Sequence, residues 1–149
     1  MDKSPLVLLE LVERLGNLMR AEFRRVGSDE QLQPVHVHAL VYLARANRYS
    51  NTPQAMAEYL GLTKGTMSQS LLLLDRRGLI ERYQDDLDRR VVRLRLSASG
   101  DQFLAEAQPQ NAWQQATRNI SPNRIRNAVS ALRETLTTAP TVRIDLQAR

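Results

Sequence analysis

The 149-residue sequence predicts a mainly α-helical fold with one small β-hairpin, which places it in the α+β class. Residues 52–77 show two short helical patterns separated by a glycine and a brief turn. Residues 79–96 show two β-rich runs around a charged segment. Apolar residues at helical spacing precede and follow this stretch, so further helices are expected on both sides. A helix, a tight turn, a second helix and a hairpin therefore form the centre of the predicted fold.

Residues 5–27 are predicted to form one long helix, since proline suits a helix start and glycine suits a helix end. Its apolar residues recur at heptad-like spacing, and only Glu22 interrupts them. Further leucines widen the apolar surface beyond what one seam needs. We therefore expect this helix to pack against a second copy of the chain, with packing on its own core as the alternative. The seam residues are Leu8, Val12, Leu15, Met19 and Val26.

A second helix is predicted from Leu32 and Pro34 to about Ala46, and it is expected to supply much of the core. It carries His36 and His38, which are the only histidines in the chain. Residues two positions apart lie on different faces of a helix, so this pair cannot chelate one metal ion. We expect ordinary, partly buried histidines here and predict neither a metal nor a cofactor.

The two helices around the tight turn have clear start and end signals. Thr52 is an N-cap hydroxyl placed ahead of a proline at the first helical position. Gly61 ends this helix, because glycine enters the left-handed conformation without a steric cost. Thr63 caps the next helix, which continues to about Arg77 before Gly78 ends it in the same way. Two helices joined by about three residues cross at a steep angle.

On the second of these helices, Met67, Leu71 and Leu74 recur at spacings of four and three and form a buried stripe. Polar and cationic side chains are thereby turned outward. Hydrogen-bonding residues at the N-terminal end of a helix suit base edges in a major groove of duplex DNA. The candidates for base contacts are Thr66, Ser68 and Gln69, and those for phosphate contacts are Lys64, Arg76 and Arg77. In the alternative interpretation, Thr66 and Ser68 help to cap the helix.

Residues 79–84 and 91–96 are predicted to pair as a hairpin with a charged tip. Apolar residues alternate with arginines on the return strand, so we expect one face toward the core and a largely cationic face outside. The expected core face comprises Val92, Leu94 and Leu96, and the outer face Val91, Arg93 and Arg95.

The tip of the hairpin holds three aspartates, which phosphates would repel unless some are neutralised within the hairpin. Asp88 lies two residues before Arg90 across a tight bend, where a carboxylate can bind a guanidinium bidentately. Arg90 is therefore the candidate for an arginine in the minor groove, whose narrow form attracts cations. Arg89 is the alternative for this role or meets phosphate. A further alternative is that Asp88 and Arg90 only brace the hairpin.

These hairpin residues resemble the MarR family of bacterial winged-helix regulators. The family's wing signature is Asp, any residue, Arg, five residues, Leu, Thr, two residues and Gly. The matching positions here are Asp88, Arg90, Leu96, Ser97 and Gly100. Ser97 replaces the usual threonine, and serine also caps helices well. The resemblance covers about residues 32–104, and this wing tip is more acidic than is usual in the family.

The resemblance implies a winged helix-turn-helix protein that acts as a homodimeric regulator, usually a repressor, on a pseudo-palindromic site in double-stranded DNA. One domain, 1–149, is expected, with residues 32–100 as the DNA-binding core and residues 5–27 and 101–138 as dimerisation helices. The resemblance also implies a small aromatic or phenolic effector, which a histidine of the second helix could contact. The alternative is a winged-helix module for protein assembly, but such modules expose apolar patches.

After Gly100 a helix is predicted to continue until Pro109 ends it near Gln108. A last helix begins at Ser121 and Pro122, and it repeats a heptad-like stripe. The stripe consists of Ile125, Val129, Leu132 and Leu136. Residues 139–149 are expected to be disordered.

Composition narrows the possible functions. A net charge of +5 and a pI of about 10.2 favour a polyanionic partner. The absence of cysteine excludes disulfides and cysteine-ligated zinc. No apolar run approaches the roughly 18 residues of a membrane span, and no signal sequence is evident, so we expect a cytoplasmic protein. No glycine-rich phosphate loop or nucleophile motif is present, so we do not expect an enzyme.

Overall fold

The computed structural model describes residues 4–109 and 111–138. It forms two compact units, Met1–Pro109 and Gln110–Arg149. The first unit contains α1 (Ser4–Gly27), α2 (Pro34–Leu43), α3 (Pro53–Leu60), α4 (Lys64–Arg76), β1 (Ile80–Gln84), β2 (Val92–Leu96) and α5 (Ala98–Ala107). The second contains α6 (Asn111–Thr117) and α7 (Pro122–Thr138). This confirms the mainly α fold with one hairpin. That the chain acts as one domain stays a prediction, and the tail at 139–149 lies outside the described residues.

The predicted helix boundaries are set by local hydrogen bonds. The Thr52 hydroxyl accepts from the Ala55 amide at 3.2 Å, and the Thr63 hydroxyl accepts from the Thr66 amide at 3.1 Å. Gly61 ends α3 in the left-handed conformation with a φ of 65°. These contacts satisfy amide groups that a helix start would otherwise leave without partners. The start and end signals predicted for α3 and α4 are therefore confirmed.

The core of the first unit lies where α2, α3 and α4 meet the hairpin. α4 contributes the predicted stripe of Met67, Leu71 and Leu74, and all three side chains are fully buried. The other fully buried large side chains are Val37, Leu40, Met56 and Leu94. This packing fixes the outward face of α4, because a helix that buries one stripe presents the opposite side to solvent.

α2 ends at Leu43, about three residues before the predicted end. The following residues form a loop in which side chains replace helical hydrogen bonds. The Ser50 hydroxyl accepts from the Asn47 amide at 3.0 Å, and the Asn47 side chain accepts from the Tyr49 amide at 2.9 Å. Asn and Ser compete in this way with the backbone bonds of a helix. These side-chain hydrogen bonds hold the loop at residues 47–51 in place before α3 begins.

The hairpin is antiparallel, and its register pairs Ile80 with Leu96 and Gln84 with Val92. The expected alternation of faces on β2 is wrong at two positions. Val92 is 40% exposed, because it lies beyond the reach of the core. Arg93 was expected outside, but its side chain is only 15% exposed, because its guanidinium binds Asp85 of the hairpin and Asn51 of the loop before α3.

The heptad seam of α1 divides into two parts. Its C-terminal end packs on the chain's own core, where Phe23 and Val26 are buried. Toward its N-terminus, eight apolar side chains are between 42% and 62% exposed: Leu6, Val7, Leu8, Leu9, Leu11, Val12, Leu15 and Leu18. In the second unit, Ile125, Val129 and Leu136 of α7 are also exposed. Across residues 4–109 and 111–138, no helix is long and apolar enough to cross a membrane.

Candidate nucleic-acid interface

The outward face of α4 carries the predicted contact residues. Lys64, Thr66, Ser68, Gln69 and Arg76 are all exposed, outside the buried stripe. Within the described chain, the side chains of Ser68 and Gln69 form no hydrogen bond, so their polar atoms are available to a ligand. The geometry expected from helical periodicity is therefore present, and the contacts with DNA stay a prediction.

Thr66 differs from its neighbours on this face. Its hydroxyl lies 2.9 Å from the hydroxyl of Thr63, which also accepts the Thr66 amide. Thr66 thus takes part in capping α4, as the alternative interpretation expected. This bond makes the Thr66 hydroxyl a weaker candidate for a base contact, because a hydrogen bond to DNA would have to compete with it.

The candidate cations differ in how freely they can meet phosphate. Lys64, Arg76 and Arg89 form no ion pair with any residue the structure describes. Arg77 instead donates to the backbone carbonyl of Glu30 at 3.0 Å, and its guanidinium lies 4.0 Å from the Glu30 carboxylate. Arg77 therefore ties the end of α4 to the loop between α1 and α2, although its side chain stays partly exposed.

Asp88 and Arg90 at the wing tip form the predicted bidentate pair. Arg90 donates from Nε and Nη2 to the two carboxylate oxygens of Asp88, each at 3.0 Å, and its backbone amide donates to the same group at 3.0 Å. These bonds hold the pKa of Asp88 below its usual value and raise the pKa of Arg90. The Arg90 side chain remains 91% exposed, so it is oriented yet open to solvent.

A second aspartate of the tip, Asp85, is neutralised from within. One of its oxygens accepts from the amides of Leu87 at 2.9 Å and Asp88 at 3.0 Å, and the other accepts from Nε of Arg93. The bond from Arg93, followed by those from the two amides, lowers the pKa of Asp85 to about 2. Only Asp86 of the three tip aspartates lacks such a partner among the described residues.

The contacts that secure the wing to the loop before α3 were not predicted from the sequence. Asn51 is buried and binds Arg93, which follows it by 42 positions, through its side-chain oxygen at 3.0 Å. Asn51 stands directly before the Thr52 cap, and a polar residue there has no distinctive local pattern. The pairing depends on the folded hairpin, so no spacing rule could have revealed it.

The histidines have structural roles. His36 accepts from the Gln33 amide at 3.1 Å and so helps to cap α2. The His38 ring lies 5.3 Å from the Phe23 ring and 6.1 Å from the Tyr59 ring. Burial, and secondarily nearby arginines, lower the pKa of both histidines. No group of three or more His, Asp or Glu side chains in the described residues is placed to hold a metal ion.

The helix pair, the outward polar face of α4 and the arginine-bearing hairpin define a winged helix-turn-helix protein. Residues 30–91 match the model of the MarR family, and this part of the chain belongs to that family. The resemblance inferred from the wing residues is thereby confirmed. Relatives from this family are named as regulators of transcription, which supports the expectation that the chain is not an enzyme.

The transcriptional repressor MprA of Escherichia coli is 30% identical over 100 residues, which are 67% of this chain and 52% of that protein. The chain thus spans about half the length of the curated relatives it matches. A MarR family regulator from Silicibacter pomeroyi superposes with a TM-score of 0.76 at 23% identity, over 87% of each chain. MepR of Staphylococcus aureus, in complex with DNA, superposes with a TM-score of 0.65 at 22% identity, over 86% of this chain and 95% of that one.

Proposed function

We propose that this protein is a sequence-specific regulator of transcription that binds double-stranded DNA and acts as a repressor. The observation that carries the proposal is the exposed polar face of α4 beside a wing whose Arg90 is held by Asp88. A repressor of this kind blocks transcription by occupying its operator. Such a protein acts where the chromosome lies, so we place it in the cytoplasm.

In this proposal α4 enters a major groove and the wing reaches the adjacent minor groove. Gln69 and Ser68 have free hydrogen-bonding groups and contact base edges, with Thr66 as the weaker third candidate. Arg90 enters the minor groove, where Asp88 orients its guanidinium. The phosphate contacts are assigned to Lys64, Arg76, Arg77 and Arg89.

The protein acts as a homodimer in this proposal, with α1 and α7 at the subunit contact. The exposed apolar side chains near the start of α1 would otherwise remain in water, at about 25 cal/mol per Å² of apolar surface. A two-fold dimer presents two recognition helices to half-sites about one helical turn apart, which gives a pseudo-palindromic operator. Sedimentation should show a dimer at micromolar concentration, and a well-folded monomer would contradict this part of the proposal.

A small aromatic acid or phenol is proposed as an effector that releases the DNA. The cluster of Phe23, His38, Tyr42 and Tyr59 supports this, because it joins three helices and Tyr59 keeps an exposed edge. An aromatic ring can stack against such an edge. Titration with 4-hydroxybenzoate should perturb the His38 and Tyr59 side-chain signals and weaken DNA binding. Unchanged signals at these residues would place any effector site elsewhere.

The test of the proposed function is selection of bound fragments from a random duplex library. We expect enrichment of one pseudo-palindromic site, whereas an assembly module would enrich none. Arg76→Glu should abolish enrichment, because it puts an anion on the DNA-facing helix. Arg24→Glu on α1 is the matched control, because it changes an exposed helical arginine in the same way and should retain enrichment.

A further inference from the structure

A continuous series of hydrogen bonds connects the loop before α3 to the arginine at the wing tip. It begins at Asn51, whose buried side-chain amide donates to the Tyr83 hydroxyl at 2.9 Å and to the Leu94 carbonyl at 3.1 Å. The Asn51 backbone carbonyl also accepts from the Leu94 amide at 2.8 Å. One residue thus ties both wing strands to the loop at residues 47–51.

Arg93 is the next member of the series. Its Nη1 donates to the Asn51 side-chain oxygen at 3.0 Å and to the backbone carbonyl of Arg48, and its Nε donates to Asp85. Its side chain is largely buried by these contacts. Arg93 therefore has a cationic group that faces the protein rather than solvent, so it does not serve as a phosphate contact.

Asp85 carries the connection from Arg93 into the tip. While one carboxylate oxygen binds Arg93, the other accepts the amides of Leu87 and Asp88 and so shapes the turn. Asp88 is placed by this turn, and its carboxylate in turn holds the backbone and guanidinium of Arg90. Each step joins groups by direct hydrogen bonds, and the series ends at the proposed minor-groove contact.

We propose that Arg93 is the positioning residue of the wing, which fixes Arg90 for DNA through Asp85 and Asp88. The inference rests on the proposed function and assigns Arg93 an indirect part in it. An arginine held in place before binding has less conformational freedom to lose when it meets DNA. Removal of Arg93 should therefore lower the affinity for DNA by no more than removal of Arg90 does.

Arg95 provides a matched control on the same strand. Its side chain is 64% exposed and pairs with Glu81 at 2.7 Å, and its guanidinium lies over the Tyr83 ring. Among the described residues, it forms no hydrogen bond or ion pair with the wing tip. Arg93→Met and Arg95→Met each remove one positive charge from β2 and keep an unbranched apolar stem, so a general effect of charge is common to both.

The experiment is a double-mutant cycle with the duplex that the wild-type protein enriches from a random library. Arg93→Met and Arg95→Met are each made in the wild-type and the Arg90→Met background. Arg93→Met should lower affinity about tenfold in the first background and less than about twofold in the second, because coupled residues are not additive. Arg95→Met should lower it by about the same small factor in both, as an independent site does.

An equal loss for Arg93→Met in both backgrounds would overturn the inference, because Arg93 would then act without Arg90. No loss in either background, with the protein folded, would overturn it too. If Arg93→Met does not fold, Asp85→Asn decides the same cycle, since it keeps the shape of the side chain but removes its charge. It should show the same dependence on Arg90, and equal losses in both backgrounds would again count against the proposal.

A measurement without DNA separates this inference from the proposed function. In the free protein, the Arg90 Nε–H signal in an NMR spectrum should be narrow for the wild type and for Arg95→Met. It should broaden and exchange faster with water in Arg93→Met or Asp85→Asn. An unchanged signal would overturn the positioning role even where DNA is bound. If the wild type enriches no duplex, the proposed function fails, and this signal alone decides the role of Arg93.

Discussion

The recognition helix and the wing lie side by side, but different forces hold them in place. α4 is fixed by apolar packing, since Met67, Leu71 and Leu74 are buried along its whole length. The wing reaches the core through its inner half, where Ile80 and Leu94 are buried. Its outer half is organised by charged groups and hydrogen bonds instead. One interface therefore combines an element placed by the hydrophobic effect with one placed by polar contacts.

This difference has consequences for binding. Side chains on α4 can vary on the exposed face without disturbing the helix, because its position depends on the opposite face. The wing has no separate buried face of this kind, because the residues that hold its shape are themselves polar and near the surface. A substitution in α4 should therefore change either stability or DNA recognition, whereas a substitution in the wing should change both.

The largest expected effect is loss of stability on removing part of the α4 stripe. Leu74→Ala should reduce the free energy of unfolding by about 2–5 kcal/mol, because it leaves a cavity in the core. Leu72→Ala, two residues earlier on the exposed side, is the control and should cost far less. Urea unfolding monitored by circular dichroism gives both values. Equal costs would mean that Leu74 is no more important to the core than the exposed Leu72.

Gln69→Ala should change recognition and leave stability nearly intact. If Gln69 contacts a base edge bidentately, its loss costs about 1–3 kcal/mol of discrimination at one position of each half-site. Binding to a set of single-base variants of the selected duplex measures this. Gln54→Ala on α3 is the control, since Gln54 instead bonds Glu58 at 3.0 Å. An unchanged preference in Gln69→Ala would move base recognition to another residue.

Thr63→Ala should show how far the start of α4 depends on its cap. The lost hydrogen bond to the Thr66 amide should cost about 1 kcal/mol in the free energy of unfolding. The exposed Ser68→Ala, which removes a hydroxyl from the same helix without a cap, should stay within about 0.5 kcal/mol of the wild type. Thermal unfolding distinguishes the two. Similar values would show that the cap contributes little.

The smallest effect concerns acid. The pKa of Asp85 is about 2 against an ordinary 3.8, so the folded state favours its ionised form. The stability that its ion pair contributes is present above pH 3.8 and is lost as the pH falls toward 2. The difference in unfolding free energy between wild type and Asp85→Asn should be constant near neutral pH and shrink below about pH 4. A difference that is the same at all pH values would show that the charge of Asp85 does not contribute to the free energy of unfolding.

Patterns of local spacing predicted most of the helical part correctly. Caps such as Thr52 and Thr63, glycines such as Gly61, and the stripe on α4 all act within a few residues of chain, so the sequence displays them directly. The pairing of Asp88 with Arg90 was also predictable, because the two residues are neighbours in a tight bend.

The exposure of residues near the tip end of β2 could not be predicted in this way. Simple alternation of faces assumes that a strand has a dry side and a wet side along its full length. Here the loop at residues 47–51 covers the outer side, so Arg93 is enclosed, while Val92 extends past the core and is exposed. The enclosure of Arg93 arises from contacts with residues more than 40 positions earlier in the chain.

The salt dependence of binding tests whether α4 and the wing together bind duplex DNA. The affinity of wild type and Arg90→Ala for the selected duplex should be measured over a range of salt concentrations. Arg90→Ala should bind more weakly and, if Arg90 neutralises a phosphate, should show a slope of log affinity against log salt that is smaller by about 0.9. Asp88→Ala should lose part of the same affinity, because it frees the orientation of Arg90. Unchanged affinity and slope in a folded, dimeric Arg90→Ala would show that the wing does not contact DNA.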